Sequence, residues 1–456
     1  MINIQSDSRK IKPGDIFVAL RGISSDGHSY INKAIENGAT KIIAEEGNYS
    51  VETIIVEDTR KYLNEYLKEN YNSFLDEMNL IAITGTNGKT TTAKLIHDSL
   101  NMVGSKTAYI GTIGFYIGEK ICDLPNTTVD VCDTYDLLMK AYDQGCNNVV
   151  MEISSHSAVM GRIETLNFDY AIFTNLTQDH LDYHKTMGNY ALAKQVVFKK
   201  LKPNGVAIIN DDDKYKEYFL LETNRNITYG FQSGDFKVQD YTMTSEETMF
   251  SYSYQGQIYH ASTKLLGKYN VYNNLALITT LTILGLKQEK ILEILPKLQA
   301  PVGRMEIIKY KTNNIIIDYA HTPDAIEKIM STLKEITKGN TYVVFGCTGD
   351  RDRLKRPIMT EYVANHSKYF IITNDDPHFE DPAQIVDDMT KDLEHTNYEI
   401  CLDREEAIIK GINMLNENDA LFILGKGHEE VMVIKDKKIP FNDRKVVEEY
   451  ISTINN

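Results

Sequence analysis

Leu80-Ile81-Ala82-Ile83-Thr84-Gly85-Thr86-Asn87-Gly88-Lys89-Thr90-Thr91-Thr92 is the stretch on which the fold turns. Its apolar and β-branched start reads as a buried strand, Gly85 to Gly88 as a tight turn, and Lys89 to Leu100 as a helix. A glycine turn between a strand and a helix N-terminus forms a phosphate cradle, because backbone N–H groups and the helix dipole converge there. Lys89 is placed to reach the outer phosphates and the Thr90 hydroxyl to hold magnesium, with Gly85, Thr86, Asn87, Gly88 and Thr91 lining the loop. The expected ligand is a nucleoside triphosphate, ATP, with Mg2+. The spacing departs from G-x-x-x-x-G-K-[ST], since Ile83 stands where the first glycine belongs.

Outward from this loop the chain reads as α/β in three units. Residues 1–76 alternate short strands with one helix; residues 77–302 repeat strand, helix, strand, which implies a central parallel sheet covered on both faces; residues 303–456 repeat the pattern in a doubly wound, Rossmann-like unit. Asp7-Ser8-Arg9, Pro13-Gly14-Asp15 and Gly22 to His28 read as turns, Phe236 to Ala261 as a hairpin or meander, and Pro301-Val-Gly-Arg-Met305 as a junction. The length of 456 residues suits two to four domains.

Composition narrows the function. A net charge of −15 argues against a nucleic-acid binder working through a broad basic face. Five cysteines without a C-x-x-C pair indicate neither a zinc knuckle nor a disulfide framework, and fit a reducing cytoplasm. No apolar run approaches the roughly 20 residues that span a bilayer, and the first residues lack an apolar signal core, so a cytoplasmic protein is expected.

The polar clusters follow strand ends, where open α/β sheets bind ligands. Glu152 closes Val149-Val-Met-Glu and is positioned as a second magnesium ligand. His180 lies in Asn175-Leu-Thr-Gln-Asp-His-Leu-Asp-Tyr-His184, a loop that by itself reads as merely solvated and beside the phosphate loop reads as functional; Lys194, on a helix, reads by itself as a surface charge.

Together these residues resemble the Mur ligase family, the ATP-dependent ligases that build the peptide stem of bacterial cell wall. Thr-Gly-Thr-Asn-Gly-Lys-Thr-Thr resembles its phosphate loop, and residues 175–198 its N-L-x-x-D-H-L-D-x-H…Y-x-x-x-K-x-x-x-F signature. The resemblance implies that Lys194 is carbamylated and, with His180, supports a second magnesium ion, so that Lys89, Glu152, His180 and Lys194 form the catalytic set. It further implies ATP contacts at Asn273, Arg304 and Asp318, from Gly267-Lys-Tyr-Asn-Val-Tyr-Asn273, Gly303-Arg304-Met-Glu306 and Asp318-Tyr-Ala-His321-Thr-Pro-Asp324. Ser8, Asn126, Thr127, Thr128, Ser154 and Arg162 resemble the family's contacts to a UDP-sugar peptide. Phe345-Gly-Cys-Thr-Gly-Asp-Arg351-Asp352 and Gly425-Lys-Gly-His-Glu429 resemble the branch that attaches the third amino acid to UDP-N-acetylmuramoyl-L-alanyl-D-glutamate, placing Arg351, Asp375, Asp376, His378, Gly425 and Glu429 at the incoming amino acid. A monomer is expected.

One departure bears on specificity. Members of the family that add meso-diaminopimelate carry D-N-P-R where this chain has Asp375-Asp376-Pro377-His378. Histidine supplies no permanent fork of donors, and the added carboxylate suits an ammonium, which favours L-lysine over meso-diaminopimelate. The chain also starts close to Asp7, which raises the expectation of a trimmed nucleotide-sugar unit in a divergent paralogue. Rival readings are another Mur-type ligase of a specialised pathway and a non-catalytic sensor of nucleotide or wall precursor.

Overall fold

The computed structural model describes residues 2–22 and 25–455. Part of the turn expected over Gly22 to His28 lies outside them. Three sheets organise the chain. The first holds Ile4–Gln5, Ile16–Val18, Lys41–Ala44 and Glu52–Ile55 side by side, all parallel. It is fastened to the next unit by Lys10 Nζ on Asp133, 2.6 Å away, and by the Ile2 amide donating to Asp136 Oδ1 at 2.9 Å.

The second sheet has 11 strands, and Asn79–Thr84 lies near its middle, between Phe168–Phe173 and Asn148–Glu152. Leu80 and Ala82 join one apolar cluster while Ile81 and Ile83 join the other, so the strand is buried on both faces. That double burial is why its sequence is continuously apolar rather than alternating. Helix Lys89–Met102 follows the glycine turn directly and shares a cluster with helix Lys268–Ile283 through Ala93, Leu95, Ile96 and Leu275.

The sheet is parallel through its centre, as expected, and antiparallel at both edges. The meander Phe236–Met243, Thr248–Tyr254, Gln257–Thr263 forms one edge, as the alternation predicted. The other edge is a pair of short strands, Gly114–Ile117 and Glu119–Cys122, that the sequence reading missed. Glu119–Cys122 is exposed throughout and so carries no apolar pattern to read.

The third sheet has six strands in the order Glu306–Tyr310, Asn313–Asp318, Ala420–Leu424, Thr341–Phe345, Tyr369–Ile372, Tyr398–Ile400. All neighbours are parallel except the first pair. A separate hairpin, Val431–Ile434 with Lys437–Pro440, and the helix Asp443–Asn455 complete the chain. Among the described residues no helix is long and apolar enough to cross a membrane.

Candidate active site

The glycine turn is built by local necessity. Gly85 has φ +150°, and a β-carbon there would collide with Thr174 Oγ1; Gly88 has φ +86°, and a β-carbon there would lie 2.5 Å from Asn273 Oδ1. Both positions therefore exclude side chains. The Thr86 amide donates to Asn175 O at 2.8 Å and the Asn87 amide to Asn175 Oδ1 at 3.0 Å, so the loop after Phe168–Phe173 fixes the turn from one side.

Lys89 Nζ donates to Gly85 O at 3.0 Å and Thr86 O at 2.9 Å. Thr90 Oγ1 lies 2.9 Å from Glu152 Oε2, joining the start of the helix to the end of the neighbouring strand. Glu152, 1% exposed, also accepts from the Tyr109 hydroxyl, from the Thr112 amide at 3.0 Å and from Thr112 Oγ1 at 3.1 Å. Tyr109 and Thr112 thus aim the carboxylate, and neither carries a motif that would have marked it. A hydroxyl beside a buried carboxylate offers hard oxygen donors, the chemistry that suits magnesium.

Lys194 is 2% exposed, which overturns its reading as a surface charge. Its Nζ donates to Gly85 O at 2.7 Å from beneath the loop and lies 4.7 Å from the centre of the Tyr190 ring. Burial, reinforced by Lys89, pushes its amine well below the usual lysine range. Burial thus favours the neutral amine, the form able to take up CO2, so the position fits a carbamate.

His180 sits at φ +55°, with its amide donating to Asp179 Oδ1 at 2.9 Å and its Nε2 3.3 Å from Asp179 Oδ2. Burial pushes its imidazole down to about 3, against the pull of Asp179, so its ring is neutral and keeps a lone pair. His156 packs 4.8 Å from the His180 ring, centre to centre, and His184 5.4 Å from that of His156. Lys355 reaches Asp179 at 3.7 Å from the third unit.

Two cavities open on the loop. One of about 420 Å³ is bounded by Asn87, Gly88, Thr91, Asn273, Arg304 and Asp318, with Tyr269, Tyr319 and His321 completing it. Arg304 Nη2 approaches Thr90 Oγ1 at 3.3 Å, and its guanidinium lies 4.6 Å from the centre of the Tyr319 ring. Asp318 accepts from the Met305 amide at 2.6 Å. Across the boundary, Asn87 Nδ2 donates to Asp324 Oδ2 at 2.6 Å.

The other cavity, about 540 Å³, is bounded by the central unit at Thr86, Lys89, Thr90, Asn126, Thr127, Ser154, Arg162 and His180. The third unit closes it with Arg351, Asp375, Asp376, His378, Gly425 and Glu429. Gly88, Thr91 and Arg304 belong to both cavities, so the two communicate at the phosphate loop. Thr128 and Ser8 line neither. The Thr128 hydroxyl donates to Glu152 O at 2.9 Å and accepts from the Ser154 amide at 3.0 Å, and its carbonyl accepts from Arg162 Nη1 at 2.7 Å, so it braces the wall from behind. Ser8 is buried in its turn, its carbonyl accepting from Asn37 Nδ2 at 2.8 Å.

A phosphate loop and paired oxygen donors at the ends of a parallel sheet, facing a second α/β sheet across a shared cleft, define a multidomain nucleotide-using α/β enzyme. Comparison with known proteins is more specific. Residues 2–80 match the description "Mur ligase family, catalytic domain", 83–281 "Mur ligase middle domain", and 303–427 "Mur ligase, glutamate ligase domain". The chain is 38% identical over 460 residues to a UDP-N-acetylmuramoyl-L-alanyl-D-glutamate–2,6-diaminopimelate ligase of Bacillus cereus, covering 99% of this chain and 94% of that one. A solved structure carrying the same description superposes with TM-score 0.69 at 31% identity, over 100% of this chain and 95% of the other. The MurF ligase from Thermotoga maritima in complex with ADP shares the fold, with TM-score 0.71 at 18% identity over 99% and 98% of the two chains. The chain belongs to the Mur ligase family and is an ATP-dependent amide ligase.

Proposed function

We propose that this enzyme joins a free amino acid to the D-glutamyl carboxylate of UDP-N-acetylmuramoyl-L-alanyl-D-glutamate, with L-lysine favoured over meso-diaminopimelate. Residues 1–76 would hold the UDP-sugar, 77–302 the triphosphate and 303–456 the amino acid, in a monomer working in the cytoplasm.

The observation that carries this reading is the shared cleft. Lys89, Thr90 and His180 face Asp375, His378 and Glu429 across one cavity, so a phosphorylated acid and an attacking amine have a common meeting place. The substrate carboxylate attacks the terminal phosphorus, ADP leaves, and the acyl phosphate forms. The amino group then adds to the acyl carbon, and the tetrahedral intermediate expels phosphate and loses a proton. Lys89 and Arg304 would place positive charge beside the transferring group, where charge accumulates. Thr90 and Glu152 would hold one magnesium ion, and His180 with the carbamate of Lys194 the other. Bound there, the ions neutralise phosphate charge. Lys355, Asp324 and Arg304 span the two units, so docking of the third unit would exclude water from the acyl phosphate.

The preference for L-lysine rests on Asp375-Asp376-Pro377-His378. Relatives are named for 2,6-diaminopimelate, yet this chain offers carboxylates and an imidazole where a guanidinium would grip a distal carboxylate. Amino-acid-dependent ADP release, measured with the UDP-muramoyl dipeptide and L-lysine, L-ornithine or meso-diaminopimelate, tests both levels. Preferential release with L-lysine is expected. Release with meso-diaminopimelate alone would overturn the preference, and release with none of them the substrate assignment.

A further inference from the structure

The amino-acid end of the cleft contains a lysine that no part of the reaction above uses. Lys426 follows the strand Ala420–Leu424 and is 0% exposed, yet it does not line the cavity. Its Nζ lies 2.7 Å from Asp376 Oδ1, 2.8 Å from Glu429 Oε2 and 3.9 Å from Asp375 Oδ1. Those three acids do line the cavity, and oxygens from each lie within 4.8 Å of one another. The arrangement is a wall of carboxylates with one ammonium behind it.

Each carboxylate is fixed by more than the lysine. Asp376 Oδ1 also accepts from the Val433 amide at 2.8 Å, which ties the wall to the hairpin Val431–Ile434, and the Asp376 amide donates to Asp375 Oδ1 at 2.7 Å. A β-carbon on Gly425 would collide with Asp375 Oδ2, so the glycine gives that carboxylate its place. The cluster has the spacing of a cation site, but the Lys426 ammonium already stands where its oxygens converge. Once all three are ionised, three acids against one ammonium leave the cavity face negative; burial raises the Asp375 carboxyl as well, against the pull of Lys426 and Arg404. Burial raises the Glu429 carboxyl to about 7, and Lys426 opposes that rise. The other charged or titratable neighbours include Arg404, committed to Asp443 at 2.7 Å, with Tyr319 and His428, while Arg351 and His378 line the same cavity.

We infer that Lys426 is a positioning residue for amino-acid selection: from behind the wall it holds Asp376 and Glu429 turned to the cavity, making a receptor for a side-chain ammonium. The aspartate at 376 is then part of a pair. An asparagine there would leave Lys426 one carboxylate short and the wall one negative charge weaker, so Asp376 and Lys426 act on selectivity together.

This inference rests on the amino-acid assignment proposed above, and the test separates the two. Steady-state kinetics of K426M and D376N in the full chain, with L-lysine and meso-diaminopimelate, read it directly. K426M is expected to raise KM for L-lysine at least tenfold with kcat changed less than threefold, to leave KM for ATP unchanged, and to move the acid limb of kcat/KM for L-lysine to higher pH. D376N is expected to lower the preference for L-lysine over meso-diaminopimelate at least fivefold, and it carries the test should K426M fail to fold. Equal loss of kcat with every substrate in K426M, or unchanged selectivity in D376N, would overturn the inference while the assignment stands. A wild-type enzyme that ignores L-lysine would overturn both.

Discussion

Lys194 shows what a residue type conceals. On its helix it sits among apolar and polar neighbours and reads as an ordinary exposed cation; in the fold it is enclosed beneath Gly85, against Tyr190. Its burial is set by the loop from residue 174 onward and by the phosphate turn, contacts too distant in sequence for periodicity to reveal. K194A is expected to remove at least 99% of turnover while leaving thermal unfolding cooperative, with partial rescue by acetate; undiminished turnover would contradict a metal-supporting role. Glu429 offers a second test at this scale. Its folded pKa, about 7 against an ordinary 4.5, means that the native state keeps the proton longer than the unfolded chain does. The contribution of Glu429 to stability should therefore be greatest below about 4.5 and decline as pH rises towards about 7. Denaturant melts across that range should show the stability difference between the wild type and E429Q falling as pH rises; a difference independent of pH would contradict the shift.

At the scale of elements, the site depends on how helices begin. Thr186 caps Met187–Lys199, its Oγ1 accepting from the Asn189 amide at 3.1 Å, and this helix carries Lys194 under the loop. T186A should lower stability by about 1 kcal/mol in chemical denaturation. The strand, turn and helix from Leu80 to Thr92 were legible because each local preference agrees with the fold: apolar residues buried on two faces, glycines at strained φ, a helix starting at Lys89. The short pairs at residues 114–122 and 431–440 were not legible. All four strands are short, and apart from the buried Gly114 and Phe115 their residues are exposed or half-buried, so pairing rather than side-chain pattern defines them. The helix Asp443–Asn455 was also missed, although its sequence is amphipathic, because no motif drew attention to it. The motif residues themselves were readable by type and order, whereas Tyr109, Thr112 and Lys426 entered through contacts that span from 3 to 50 positions.

For the whole molecule, that last helix is bound to the third sheet by a buried ion pair. Arg404 Nε meets Asp443 Oδ1 at 2.7 Å with both side chains 0% exposed, and Arg404 Nη2 also donates to Leu424 O at 3.0 Å, at the strand end just before Gly425. Removing one partner leaves a buried charge alone, so D443A should cost about 3–5 kcal/mol and lower Tm by several degrees in calorimetry. The same scale holds the reaction proposed above, because the phosphate loop of the central unit and the carboxylates of the third unit face one cleft. The most direct measurement labels the D-glutamyl carboxylate of the UDP-muramoyl dipeptide with 18O and follows the inorganic phosphate released with L-lysine and ATP. The account predicts that one labelled oxygen passes to phosphate in each turnover; phosphate released without label would contradict activation through an acyl phosphate.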